Sequence, residues 1–154
     1  MKLFESFHVF TRAELESRAE IQYEIYAKAI NIEAKTMIDI ATKQIIPAVI
    51  RYTTVLAESI NAVRAVGDIN VSVQLDLLTK ASRLLQDVNS AMGKLDTLVA
   101  EISAKPEGRE RAVYCREEIV PAMDALRRPV DELEMIVDKE MWPMPSYGDM
   151  IFEV

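Results

Sequence analysis

The sequence predicts an all-α fold, an antiparallel bundle of three long helices. Gly67 and the stretch 105–108 separate three long segments of the chain. Apolar residues within the segments recur three and four residues apart, the coiled-coil-like pattern of helices that bury one face against neighbours. Because both connections are short, consecutive helices should run antiparallel. We therefore expect one helical domain over residues 1–154.

Composition bounds the class of protein and its surroundings. The chain has 154 residues, of which 50% are hydrophobic and 28% charged, so one domain can bury a sizeable core. A single cysteine excludes an internal disulfide and favours a reducing compartment, which predicts a cytoplasmic protein. The net charge of −7 argues against binding to nucleic acid, which depends on cationic contacts. No uncharged stretch is long enough for a membrane span, so we expect no membrane partner.

The first helix is predicted over residues 12–66. Thr11 and Glu14 have the spacing of a capping box, in which each side chain accepts a hydrogen bond from the other residue's amide. Gly67 ends the segment. Pro47 is the one position within it at which the helix could break, since proline removes a helical hydrogen bond.

The second helix is predicted over residues 70–103 and the third over residues 107–140. Pro121 and Pro129 fall within the third helix, where we expect one or two kinks. Residues 141–154 form a tail rich in proline and aromatic residues, predicted to be non-helical, as is the N-terminal arm before Thr11. The tail either folds back on its own bundle near Gly67 or docks on a neighbouring domain.

The predicted lengths of the first and second helices do not match. A second helix that folds back from Gly67 ends level with about Ile32 of the first, so residues 11–31 overhang. Either Pro47 bends this overhang back, or its apolar face contacts another domain or chain. We expect the contacts to involve six residues: Leu15, Tyr23, Tyr26, Ile30, Trp142 and Tyr147.

No catalytic, cofactor-binding or metal-binding residues are predicted. The one histidine, His8, precedes the first helix, so neither a zinc site nor a di-iron bundle can form. Cys115 lies in the middle of a helix and is interpreted as an ordinary, partly buried thiol. The neighbouring carboxylates Glu117 and Glu118 point about 100° apart on a helix, which suits a solvated surface better than an acid–base pair.

Several strings of the sequence resemble the C-terminal helical region of the type III glutamine synthetases, the large bacterial form of that enzyme. Their order and spacing, from about Phe4 to the last residue, carry the resemblance, while the middle helix adds little. The strings are Thr11–Arg18, Tyr26–Ala34, Thr36–Ala41, Ile46–Val49 with Tyr52, Arg116–Met123 and Trp142–Asp149.

The resemblance implies a role within a larger protein. The family joins glutamate and ammonia, consumes ATP with divalent metal ions such as magnesium, and assembles into two-ring dodecamers. Its catalytic residues precede the region that this chain resembles, so none can be assigned here. The chain is thus expected to be a non-catalytic fragment of a ligase that contacts the parent's catalytic domain, other copies of itself, or both, as a homo-oligomer. The alternative is a free-standing helical interaction or scaffold module.

Overall fold

A computed structural model describes residues 9–145 and 147–152, and every regular element in these ranges is helical. The all-α prediction is therefore confirmed. The described elements form three long helices and a short fourth one. The predicted N-terminal arm, with His8, lies almost wholly outside the described residues.

The first long helix consists of α1 (Arg12–Ile40), a π turn (Ala41–Ile45) and α2 (Ile46–Val66). Its ends agree with the predicted range. The amide of Thr11 donates to Oε2 of Glu14 at 2.8 Å, and the amide of Glu14 donates to Oγ1 of Thr11 at 3.3 Å. The predicted capping box is confirmed, and it satisfies two amides at the helix start.

Pro47 does not break the first long helix. The amide of Ile46 donates to the carbonyl of Ala41, five residues back, and the wider π turn gives the proline ring room. Ile45 and Ile46 keep right-handed helical dihedral angles, so the helix passes from α1 into α2. Pro47 therefore does not turn the N-terminal half back as a separate helix.

The second long helix is α3 (Ser72–Glu101), followed by a 3₁₀ turn (Ile102–Ala104), close to the predicted 70–103. At its start, Oδ1 of Asn70 accepts the amide of Ser72 at 2.8 Å. This local bond supplies an acceptor for one of the amides that a helix start leaves unpaired.

The third long helix consists of α4 (Arg109–Tyr114), a π turn (Cys115–Ile119) and α5 (Val120–Glu134). The predicted range of 107–140 is too long. The amides of Ile136 and Val137 both donate to the carbonyl of Leu133, which tightens the chain into a turn after Glu134. Val137 lies in this turn and is buried. The apolar spacing that predicted the helix therefore continues beyond the end of the helix.

The third helix accommodates Pro121 in the same way that the first accommodates Pro47. The amide of Val120 donates to the carbonyl of Cys115, and the π turn ends two residues before the proline. Pro129 lies inside α5 without interrupting it. Of the two prolines at which a kink was expected, Pro121 therefore follows a π turn, and Pro129 leaves the helix uninterrupted.

Alanines at every seventh position of the first long helix let its neighbours approach closely. Ala27, Ala34, Ala41 and Ala48 are each at most 3% exposed. The core continues into α3 and the third helix through larger side chains that are fully buried. These are Val88, Leu95, Ile119, Leu126 and Leu133.

The C-terminal tail contains a short helix, α6 (Tyr147–Phe152), so the prediction of a wholly non-helical tail is wrong. Prolines 143 and 145 exclude a helix only over the first residues of the tail. Beyond Pro145 the chain has no further proline, and six residues form a helical segment.

Candidate interaction surfaces

Cys115, Glu117 and Glu118 lie on the π turn of the third long helix. Within residues 9–145 and 147–152, no cluster of three or more histidine, cysteine or acidic residues could hold a metal ion. Cys115 is fully buried, and burial raises the pKa of its thiol, which suppresses the reactive thiolate. Glu117 and Glu118 are exposed. The described residues thus provide no ligand cluster that would fit a divalent metal.

The outer face of α1 carries three exposed isoleucines among charged residues. Ile21, Ile25 and Ile32 are 52%, 55% and 65% exposed. At about 100° per residue, their spacings of four and seven place them within about 40° of one another around the helix. Ala27 and Ala34, which face the core, lie on the opposite side. We call Ile21, Ile25 and Ile32 the isoleucine stripe. Helix α1 thus carries apolar residues on its outer face as well as on the face that packs against the core.

The predicted overhang is longer than the observed one. Residues 11–31 were expected to lie beyond the other helices, yet Ala27 is buried and the chain before α4 reaches Glu20. The loop after α3 extends the contact with α1 towards its N-terminal end, as far as Glu20, which is beyond the point predicted from the length of the second helix alone. It is held in place by Arg111, whose guanidinium donates twice to the carbonyl of Lys105, at 2.8 and 3.2 Å.

The four contact residues predicted on α1 differ in their surroundings. Ile30 is half-buried and packs against the bundle's own core. Leu15 and Tyr23 are half-buried, and Tyr26 is at the lower limit of exposure. The most exposed apolar residues, Ile25 and Ile32, were not among the four. Their signal in the sequence is the spacing of seven on the face opposite the buried alanines.

The tail folds back on its own bundle, but not near Gly67. Trp142 packs against the core, and Nζ of Lys139 lies 3.1 Å from Oδ1 of Asp149 in the tail helix. The tail borders a cavity of about 510 Å³ between the first and third long helices, beside the π turn of the first. Trp142 is therefore engaged within its own chain; the side chain of Tyr147 lies outside the described residues.

This cavity has mainly apolar walls and a charged edge. Met37, Ile40 and Val130 line it, and Arg127 and Asp131 form an ion pair at 3.4 Å on the same side. Its size lies in the range of small-molecule pockets. The indole N–H of Trp142 is buried and finds no acceptor among the described residues. The charged side chains of Arg127, Asp131 and Glu134 share this lining with the indole of Trp142.

A second exposed apolar surface lies where α2 meets α3. Val66, Ile69 and Val73 are all exposed at this connection. From the sequence, this connection is predicted only as a helix end marked by Gly67. The apolar residues on both sides of the glycine were the signal that would have identified it.

The comparisons with known proteins agree with the resemblance found in the sequence. The family described as glutamine synthetase C-terminal domain matches residues 1–64, which include α1 and nearly all of α2. A type-3 glutamine synthetase from Dictyostelium discoideum is 30% identical over 157 residues, covering 99% of this chain and 21% of that protein. A glutamine synthetase from Butyrivibrio fibrisolvens is 28% identical, over 99% of this chain and 22% of its own length.

A third relative extends the same pattern. The glutamine synthetase of Bacteroides fragilis is 24% identical over 94% of this chain and 20% of its own length. The chain, helical in every regular element that the structure describes, thus spans about a fifth of the length of these relatives. Its resemblance to the C-terminal domain of the type III glutamine synthetases is confirmed. No described helix is both long and apolar enough to cross a membrane.

Proposed function

We propose that the chain acts as the non-catalytic C-terminal helical domain of a glutamine synthetase, with a structural role in assembly. The observation that carries this proposal is the similarity of 94–99% of the chain to about a fifth of each glutamine synthetase. The remaining four-fifths of such a protein would supply the ligation of ammonia to glutamate. It would also bind ATP and the divalent metal, for which the described residues offer no ligand cluster.

The surface of the bundle supports a structural role. Two exposed apolar surfaces, the isoleucine stripe and the α2–α3 connection, lie on a chain with 28% charged residues. Large exposed apolar patches on such a surface are typical of contacts with other domains or subunits. The expected partners are the catalytic region and other copies of the chain in a cytoplasmic homo-oligomer.

A blot of source-cell lysate with an antibody raised against the bundle tests this proposal. The expected result is one band roughly five-fold heavier than 17.4 kDa, since the chain spans about a fifth of its relatives. A band at 17.4 kDa alone would contradict the proposal and favour the free-standing scaffold module.

Calorimetry provides a second test on the 154-residue chain. Titration with ATP and magnesium, and separately with glutamate, should release no heat of binding, because the described residues contain no cluster that could hold the metal. Saturable binding of ATP would overturn the assignment of a non-catalytic role.

A further inference from the structure

We propose that the outer face of α1 pairs with the same face of a second copy, antiparallel, about a two-fold axis between Lys28 and Ala29. This inference rests on the proposed assembly function and names its partner. It starts from the isoleucine stripe, which the chain's own described elements leave half-exposed or more. A two-fold pairing lets one apolar surface serve both partners, as in most homodimers.

The charges that flank the stripe select the direction of pairing. Six charged residues lie within about 60° of the stripe around the first long helix: Glu14, Arg18, Lys28, Lys35, Asp39 and Lys43. All six are exposed, and Asp39 and Lys43 already form an ion pair within their own helix. In a parallel pair each of them would face its own counterpart, and the like charges would repel. In an antiparallel pair, two residues face each other when their numbers add up to a sum that is fixed by the position of the two-fold axis. A positive residue near one end of the helix can then face a negative residue near the other end.

One register matches both the apolar and the charged residues. When Ile25 faces Ile32 of the second copy, Arg18 faces the second copy's Asp39. In the same register Glu14 faces the second copy's Lys43. By symmetry each of these contacts occurs twice, so the dimer gains two isoleucine pairs and four opposite-charge pairs. At the centre, Lys28 faces Ala29 of the second copy, whose small side chain lets the two backbones approach. The two Lys28 side chains lie near the axis, and each is paired with Glu24 of its own chain at 3.1 Å.

The neighbouring registers are less favourable. Placing Ile21 against Ile32 brings Arg18 against Lys35 and Glu14 against Asp39, which are like charges. Placing Ile21 against Ile25 brings Arg18 against Lys28. A register centred on Ile21 also matches opposite charges, but it aligns a single isoleucine pair over a shorter overlap. The proposed overlap of residues 14–43 is about 45 Å long at 1.5 Å per residue.

Light scattering and sedimentation of the 154-residue chain test the pairing. The expected mass rises with protein concentration from 17.4 kDa towards twice that value. Arg18→Glu and Asp39→Lys should each weaken the dimer about ten-fold, and the double variant should restore it because the two charges exchange places. Arg83→Glu, an exposed change on α3, is the matched control and should leave the mass unchanged.

Disulfide cross-linking tests the register. In the proposed pair, Ile25 and Ile32 of opposite copies lie side by side, so the variant I25C/I32C should form a covalent dimer under mild oxidation. The single variant I25C should not, because its two copies are about 10 Å apart along the axis, beyond the reach of a disulfide. Cys115 is fully buried and does not compete.

Three results would overturn the inference. A chain that stays monomeric at all concentrations would mean that the stripe is covered by another part of a larger protein. A dimer that ignores the charge exchange would use a different surface. Efficient cross-linking of I21C alone would indicate the register centred on Ile21. A monomer combined with a five-fold heavier band in the lysate would remove the pairing and leave the proposed function standing.

Discussion

Gly108 lies directly against Glu20, so the chain that begins the third helix is seated on the first. A Cβ atom added to Gly108 would overlap the carboxylate oxygen Oε2 of Glu20. Gly108 also has φ of 81°, a left-handed conformation that side chains disfavour. This contact places the start of α4 beside Glu20 of α1, whereas the isoleucine stripe stays exposed.

Replacing Gly108 should destabilise the bundle. We expect Gly108→Ala to lower the free energy of unfolding by about 1–2 kcal/mol, mainly from the left-handed backbone, since the Glu20 carboxylate can swing aside. Gly93 is the matched control, because it is helical and has nothing within 4 Å of an added Cβ. Gly93→Ala should raise the free energy of unfolding by about 0.5–1 kcal/mol. Urea denaturation measures both; equal effects would contradict the assignment.

Lysine substitutions on α1 should separate packing from docking. Ile30 packs against the core, so Ile30→Lys should cost about 2–4 kcal/mol of unfolding free energy. Ile32 is 65% exposed, and Ile32→Lys should change the free energy by less than about 0.5 kcal/mol while it weakens self-association. Denaturation and light scattering on the same samples measure the two effects. A folded monomer from Ile30→Lys would show that Ile30 is a contact residue after all.

Enlarging an alanine of the seven-residue series should overpack the core. Ala34 is fully buried, and Ala34→Leu should lower the free energy of unfolding by about 1–3 kcal/mol. Ala62→Leu places the same side chain on the exposed face of α2 and should be nearly neutral. Thermal unfolding followed by circular dichroism compares them; a neutral Ala34→Leu would mean that the helices are not in close contact there.

The capping box should give Glu14 a measurable pH signature. Hydrogen bonds from the amide and hydroxyl of Thr11 lower the pKa of Glu14 below its ordinary value of 4.5. Since the folded pKa is the lower one, the contribution of Glu14 is present above pH 4.5 and is lost as the pH falls through the folded value. An NMR titration should show this lowered pKa, and Thr11→Ala should move it back up. An unshifted Glu14 in the wild-type chain would contradict the capping box.

The thiol of Cys115 should be inert in the folded chain. Burial raises the pKa of Cys115, so at pH 8 a disulfide reagent should modify it slowly, and urea should make the reaction fast and complete. Because the raised pKa favours the neutral thiol in the folded state, stability should fall as the pH rises above the ordinary thiol value. Rapid native modification would show that the third helix opens around its π turn.

The sequence predicted the ends of the first helix because both carry local signals, a capping box at Thr11 and a glycine at position 67. It did not predict the π turns. Proline at positions 47 and 121 indicates a lost hydrogen bond, but whether the helix kinks, stops or widens depends on tertiary packing. The predicted third helix is too long because Val137, which lies in a turn beyond the helix, continues the apolar spacing.

The candidate surfaces were only partly predictable for a related reason. The spacing of apolar residues shows that α1 carries many of them. Deciding that Ile30 packs on the core and that Ile25 is exposed also requires the position of the third helix. That position depends on Gly108 and on the bonds from Arg111 to Lys105, which are contacts between loop and helix rather than features of a helical pattern.

One measurement tests the proposed membership in a larger ligase most directly. Protein captured from source-cell extract with an antibody to the bundle is supplied with glutamate, ammonia, ATP and magnesium, and glutamine formation is followed. The expected result is glutamine formation by the captured fraction, dependent on ATP and absent with a control antibody. Capture of the chain in quantity without any formation of glutamine would contradict the proposal.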